Sequence, residues 1–210
     1  MNTTIFALST AVLVSAAAAS PLLPGGSVSP VPVYPNTVNA ATLVAGPLNS
    51  PFSSANFGGV MLSLVVTNCA DNPYGLNALT FVYGFYNSDT SADAIGRLTV
   101  NGYTGFNTDV GIDPFSATLP AAQTPFEATR QADGSSVGWT WLNAGPFNQV
   151  GPSQSSPYLV VHTNATAYTT STASLIDGAI ATADTYAPLP TPGAAALLGL
   201  GSLAAFRRRR

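Results

Sequence analysis

From residue 58 onward the sequence is cut by Asn, Asp, Gly and Pro into short apolar runs, and this segmentation limits the fold more than any other feature. The runs cover residues 60–67, 79–86, 95–100, 107–112, 137–142, 158–163, 165–170 and 174–185. Val, Thr, Tyr and Phe dominate them, and none repeats its apolar residues at the 3.6 spacing of a helix. Between them stand Asn72-Pro73, Asn87-Ser88-Asp89, Asn101-Gly102, Asp133-Gly134 and Gly151-Pro152, each a pair or triplet suited to reversing the chain. Short strands with turn chemistry and no intervening helix predict an all-β fold, an antiparallel β-sandwich of the Ig-like or jelly-roll-like kind. The sandwich domain is expected over residues 58–187. Residues 20–57 are rich in Pro, Gly and Ser and predict an extended lead-in with one edge strand at 42–45.

Charge narrows the chemistry. Only 7% of the 210 residues are charged, against about 25% in an ordinary soluble domain. The chain has no Lys, and four of its six Arg are its last four residues. A nucleic-acid surface needs dense Lys and Arg to neutralise phosphates, so that class is excluded. One His and one Cys exclude a zinc site of the usual Cys/His type. Residues 20–187 hold Arg97 and Arg130 against nine acids, a formal charge of −7. Such a domain is not drawn to anionic polymers by charge, which leaves calcium or neutral sugars as small partners.

The two ends read as addresses rather than as parts of a core. Residues 1–19 hold an apolar run from Ile5 that ends in Ala16-Ala17-Ala18-Ala19 before Ser20-Pro21. This predicts a secretory signal peptide, an N-terminal helix too short to span a bilayer comfortably. At the other end, Pro188-Leu189-Pro190-Thr191-Pro192-Gly193 precedes an apolar run from 193 to 206 and then Arg207, Arg208, Arg209 and Arg210. The prolines hold the backbone extended and open to a protease. The apolar run would make a hydrophobic helix of about 21 Å, short of the ~30 Å hydrocarbon core unless flanking residues or bilayer thinning close the gap. The four Arg would stay on the cytoplasmic side.

This tail, residues 188–210, resembles the PEP-CTERM sorting signal of Gram-negative bacteria, in a variant with a Pro-x-Pro-x-Pro-Gly core. Leu189 or Thr191 stands where the Glu of Pro-Glu-Pro would be. Less specifically, Leu79-Thr-Phe-Val-Tyr83, Arg97-Leu-Thr-Val100, Gly105-Phe-Asn-Thr-Asp-Val110, Leu159-Val-Val-His-Thr-Asn-Ala-Thr166 and Ile176-Asp-Gly178 are similar to a domain associated with such proteins. The resemblance implies recognition by an exosortase-type membrane protease acting at Pro188, Pro190, Pro192, Gly193 and the Arg cluster. It implies transient anchoring in the inner membrane through the C-terminal helix, then release to the cell surface or to a biofilm matrix of exopolysaccharide. No activity comes with it.

Chemistry inside the body is sparse. Cys69 has no second Cys to pair with, and after the apolar run 61–66 it is expected as a small residue at a strand end. A Cys–His nucleophile would have to recruit His162, and nothing local joins the two. No Gly-x-Ser-x-Gly elbow accompanies His162. Glycoside hydrolysis needs two carboxylates, and the one Glu, Glu127, lies in a loop-like stretch. Asp71, Asp89, Asp93, Asp109 and Asp113 supply oxygens on expected loops, so a loop-stabilising calcium is one reading and turn capping the other. Phe81, Tyr83 and Phe85 share one face of a strand, as do Trp139 and Trp141; either row can line a core or form a sugar-stacking platform. Leu142, on the opposite face, makes Trp139 and Trp141 the better candidates for exposure. The expectation is a non-enzymatic structural or adhesive surface protein. The alternatives are a carbohydrate-binding module associated with exopolysaccharide and an uncharacterised hydrolase.

Overall fold

The computed structural model describes residues 21–35, 37–114, 124–142 and 149–190. The signal segment, Pro192, Gly193 and Arg207, Arg208, Arg209 and Arg210 lie outside the described residues, so both expected flanking helices do as well. The elements run β1 (Ser27–Val28), a one-turn helix α1 (Thr37–Ala40), β2 (Thr42–Ser53), β3 (Gly58–Thr67), β4 (Thr80–Asn87), β5 (Arg97–Asn101), β6 (Thr108–Asp113), β7 (Glu127–Arg130), β8 (Ser136–Thr140), β9 (Tyr158–Thr163), β10 (Tyr168–Asp177) and β11 (Ala179–Pro188). The chain is all-β. Two antiparallel sheets face each other in a sandwich-like arrangement, one ordered β1-β7-β8-β5-β10-β11 and the other β2-β3-β4-β9-β6. No helix among the described residues is long and apolar enough to cross a membrane.

Several strand boundaries differ from the sequence reading. The segment 174–185 was expected as one strand, but the chain reverses at Gly178, so that β10 and β11 form a hairpin with Ile176 opposite Ile180. Gly178 has a φ of +63°, a conformation L side chains rarely adopt. Asp177-Gly178 is thus a turn pair inside an otherwise uninterrupted Thr/Ala run. The edge strand expected at 42–45 extends to Ser53 and passes Pro47 through two register shifts against β3. Glu127 lies on β7, not in a loop.

Alternation along β4 and β8 builds the core. Phe81, Tyr83 and Phe85 of β4 point inward from the five-stranded sheet, and Trp139 of β8 and Trp141 just beyond it meet them from the other side. Tyr83 packs on Trp139 at a centroid distance of 6.4 Å and Phe85 on Trp141 at 5.5 Å. Phe81 meets Tyr103, in the turn after β5, edge-on at 6.1 Å. Such ring pairs add about 0.5–1.5 kcal/mol each beyond the area they bury. A chain of hydroxyls runs through this layer. The Tyr83 Oη–H donates to the Tyr186 carbonyl at 2.6 Å, so the Tyr103 Oη–H supplies the proton of the 2.6 Å contact between the two phenols.

Burial on β4 is nearly continuous, because its other face is covered too. Leu64, Val66, Cys69 and Val82 form a second, small apolar cluster with Val38 and Ala41. The lead-in first runs parallel beside the edge strand β6, where the Tyr34 N–H donates to the Ile112 carbonyl and the Ile112 N–H to the Pro32 carbonyl, both at 2.8 Å. Tyr34, Thr37 and Val38 then turn over the outer face of the five-stranded sheet. This cover encloses a row of polar side chains on the outer face of the sheet.

Candidate functional site

Strand register places four side chains in a row on the covered face. Val66 of β3 pairs with Thr80 of β4, Thr80 with His162 of β9, and His162 with Asp109 of β6. Directly paired residues stand about 4.5–5.5 Å apart, so neighbours in this row can bond. The lead-in brings Tyr34 and Thr37 over the row, and the connection from β3 to β4 brings Cys69, Asp71 and Asn72.

Thr80 is the hub. Its Oγ1 lies 2.9 Å from His162 Nδ1 and accepts from Asn72 Nδ2 at 3.0 Å, while the nearby Cys69 Sγ–H donates to the Thr37 carbonyl at 3.9 Å. Because Asn72 donates to it, Thr80 can donate its own proton to Nδ1, an assignment that places the imidazole proton on Nε2. That nitrogen is 3.9 Å from Asp71 Oδ1, beyond hydrogen-bond reach. Asp71 Oδ2 instead accepts from Thr37 Oγ1 at 2.5 Å. Tyr34 meets the imidazole edge-on, centroids 4.9 Å apart, and donates its Oη–H to Asp109 Oδ2 at 2.6 Å. Gly111 seats the Tyr34 ring: a Cβ there would come within 2.4 Å of it.

Burial sets the protonation states. It lowers the His162 pKa to about 4, with Asp71 opposing, so the ring is neutral at pH 7. It pushes the Cys69 thiol up to about 11, with the nearby Thr80 hydroxyl opposing. At pH 7 only about one part in ten thousand is then thiolate, the form that attacks an electrophile. Burial likewise raises the Tyr34 phenol, helped by its bond to Asp109. The residues of a Cys–His–Asp relay are therefore gathered here, which no local sequence signal indicated. Yet the Cys69 thiol is turned to the Thr37 carbonyl and the imidazole Nδ1 to Thr80, and both side chains are buried. In this form the cluster can brace the lead-in and the β3–β4 connection against the sheet, but it presents no activated nucleophile.

The remaining predicted residues are scattered. Trp139 and Trp141 are both 0% exposed, whereas Leu142 is 54% exposed, so the sequence reading of that strand's faces is reversed. Neither ring can stack on a sugar without opening the core, since both interlock with β4. Asp109 and Asp113 lie on β6 rather than on loops and are fully buried. Asp113 Oδ2 accepts from the Val38 N–H at 3.1 Å. Asp89 and Asp93 are exposed after β4, where Asp93 Oδ1 accepts from the Ala94 N–H at 2.9 Å. Among the described residues, no group of three or more His, Cys, Asp or Glu side chains is arranged to hold a metal ion. Of the tail, Pro188 is buried at the end of β11 opposite Tyr168, and Pro190 is exposed.

No family model, no curated protein and no solved structure matches the chain.

The outer face of the six-stranded sheet is the second surface of interest. Register lines up Ser27, Thr129, Gly138, Thr99, Ser174 and Thr182 across all six strands. A neighbouring row carries Ser136, Asn101, Thr172 and Asp184. Strands stand about 4.8 Å apart, so this face is a grid of small hydroxyls and amides with little charge.

Proposed function

We propose that this chain is an exported cell-surface or extracellular-matrix protein with a structural or adhesive role and no catalytic activity. It is delivered by an N-terminal signal peptide and by a PEP-CTERM-like C-terminal sorting signal that an exosortase-type protease recognises. The observation that carries this reading is the order of the final segment: a Pro-x-Pro-x-Pro-Gly motif, an apolar run and four terminal Arg. The body supports it in two ways. Its candidate nucleophile is a buried, protonated thiol. Its uncovered sheet face offers hydroxyls and amides, suited to hydrated neutral polymers. Within this reading the body is an Ig-like or jelly-roll-like sandwich between a signal helix and a C-terminal hydrophobic helix.

The test is cell fractionation of the native host carrying either the full chain or a chain ending at Pro190, which keeps all of β11. The full chain is expected in the surface fraction, shortened at its C-terminus by intact mass, and the truncated chain is expected to be mislocalised. Equal surface yields would overturn the reading.

A further inference from the structure

We propose that a cleft on the outer face of the six-stranded sheet binds a single carboxylate, carried by a glycan whose neighbouring units are uncharged. The cleft has a volume of about 370 Å³, and its lining includes Arg97, Thr129, Arg130, Gln131, Ser136 and Gly138. It contains no Asp or Glu, although residues 20–187 carry a formal charge of −7. Arg97 and Arg130 are the only Arg among the described residues, and both border this cleft, Arg130 being shared with a second cleft that holds Asp133.

The two cations have different duties. Arg130 is buried, and its guanidinium donates to the carbonyls of Leu22, Tyr103, Phe106 and Gly134 and to Thr108 Oγ1, at 2.8–3.3 Å. All of these acceptors are neutral, and Leu22, Phe106, Thr108 and Gly134 among them line a separate cleft that also holds Asp133, so Arg97 is the cation that the outer face itself presents. Arg97 is half-buried and lies flat on the sheet. Its Nη2 donates to Thr129 Oγ1 at 2.9 Å and its Nε to Thr99 Oγ1 at 3.3 Å. Its Nη1 finds no acceptor, carboxylate or otherwise, among the described residues. The nearest acid in register, Glu127, lies in the same row with Thr140 between them.

Gly138 makes this posture possible. A Cβ there would fall 2.5 Å from Arg97 Nη2 and lift the guanidinium off the sheet. The result is a pre-positioned, planar donor with free N–H groups, and its natural counterpart is a carboxylate. The hydroxyls of Thr129 and Ser136 and the Gln131 amide flank it and can bond sugar hydroxyls. The negative charge elsewhere on the domain repels a densely charged polyanion, so the site favours an isolated acid on a neutral backbone.

The inference rests on the cleft alone, and its test does not depend on how the protein reaches the surface. The purified full chain is titrated by calorimetry with a hexasaccharide alternating glucuronate and N-acetylglucosamine, with cellohexaose, and with sodium glucuronate. Binding is expected for the first, little or none for the second, and weaker binding for the third. Arg97→Gln should weaken hexasaccharide binding by about tenfold to a hundredfold, the value of a charge-assisted bond, with the urea unfolding midpoint unchanged. Gly138→Ala should reproduce the loss if it folds, and Arg97→Lys should restore only part of the affinity. Three results would each refute the glycan site: equal binding of cellohexaose, undiminished binding by Arg97→Gln, or no binding of the hexasaccharide. Glucuronate binding as tightly as the hexasaccharide would reduce the site to one for small anions and overturn the glycan assignment.

Discussion

The two core phenols are chemically alike but should not be equivalent to mutation. Tyr83 and Tyr103 are each fully buried, and their hydroxyls form a directed chain from Tyr103 to Tyr83 to the Tyr186 carbonyl. Tyr103→Phe removes the start of the chain: one bond is lost, and Tyr83 still donates to the carbonyl. That costs about 0.5–1.5 kcal/mol. Tyr83→Phe removes the middle. Two bonds go, and the Tyr103 hydroxyl is left buried with no acceptor, which adds a desolvation penalty of about 1–3 kcal/mol. The expected cost is therefore about 2–4 kcal/mol, a fall of about 1 M or more in the urea midpoint. The double variant removes the stranded hydroxyl along with its partner, so it should cost less than the sum of the singles, with a coupling of about 1–2 kcal/mol. The assay is a double-mutant cycle by urea unfolding, followed by Trp fluorescence. If Tyr103→Phe costs as much as Tyr83→Phe, or the cycle is additive, the assigned direction of the chain is wrong.

Two further outcomes follow from the buried polar row. His162 is neutral and buried, with its folded pKa lowered to about 4, so the unfolded chain takes up a proton first as pH falls. Its contribution is whole above pH 6.5, declines through the window down to about pH 4 and is flat below, a loss of about 3 kcal/mol in all. The measurement is urea unfolding at a series of pH values in parallel with His162→Gln, which should show a shallower decline across that window; identical slopes would contradict the account. Cys69, buried with its thiol pushed up to about 11, should resist a thiol-specific disulfide reagent at pH 8 in the native protein and react stoichiometrically in denaturant. Rapid labelling of the folded chain would mean that the lead-in does not cover it.

The sheet architecture was legible because period-two alternation and turn residues are local signals. The expected strand 158–163 coincides with β9, and Asn101-Gly102 and Asp133-Gly134 do mark reversals. Faces were harder. Leu142 and the two Trp alternate correctly, but alternation does not say which side is inward. That depends on the rings opposite, and Tyr83 and Phe85 decide it here. What the lead-in covers was illegible for a related reason. Its prolines signal extended backbone, which is what Pro32 and Tyr34 adopt beside Ile112, yet nothing in residues 31–41 reveals that they lie across a sheet. The His162 row depends on pairing between segments far apart in sequence, so spacing arguments could find neither the Thr80 hub nor the approach of Cys69. Arg97 was counted only as charge. Its significance arises from Gly138, which is distant in sequence and adjacent in register.

The last strand also sets a geometric limit. Pro188 is still opposite Tyr168, and the Leu189 N–H donates to the Ala167 carbonyl at 2.9 Å, so the sheet grips the chain up to the threshold of its proline motif. A cut before Leu189 would unzip the outermost ribbon of the six. Under the proposed processing the folded body works as a ruler: a cut that spares Leu189 leaves the margin of the six-stranded sheet intact.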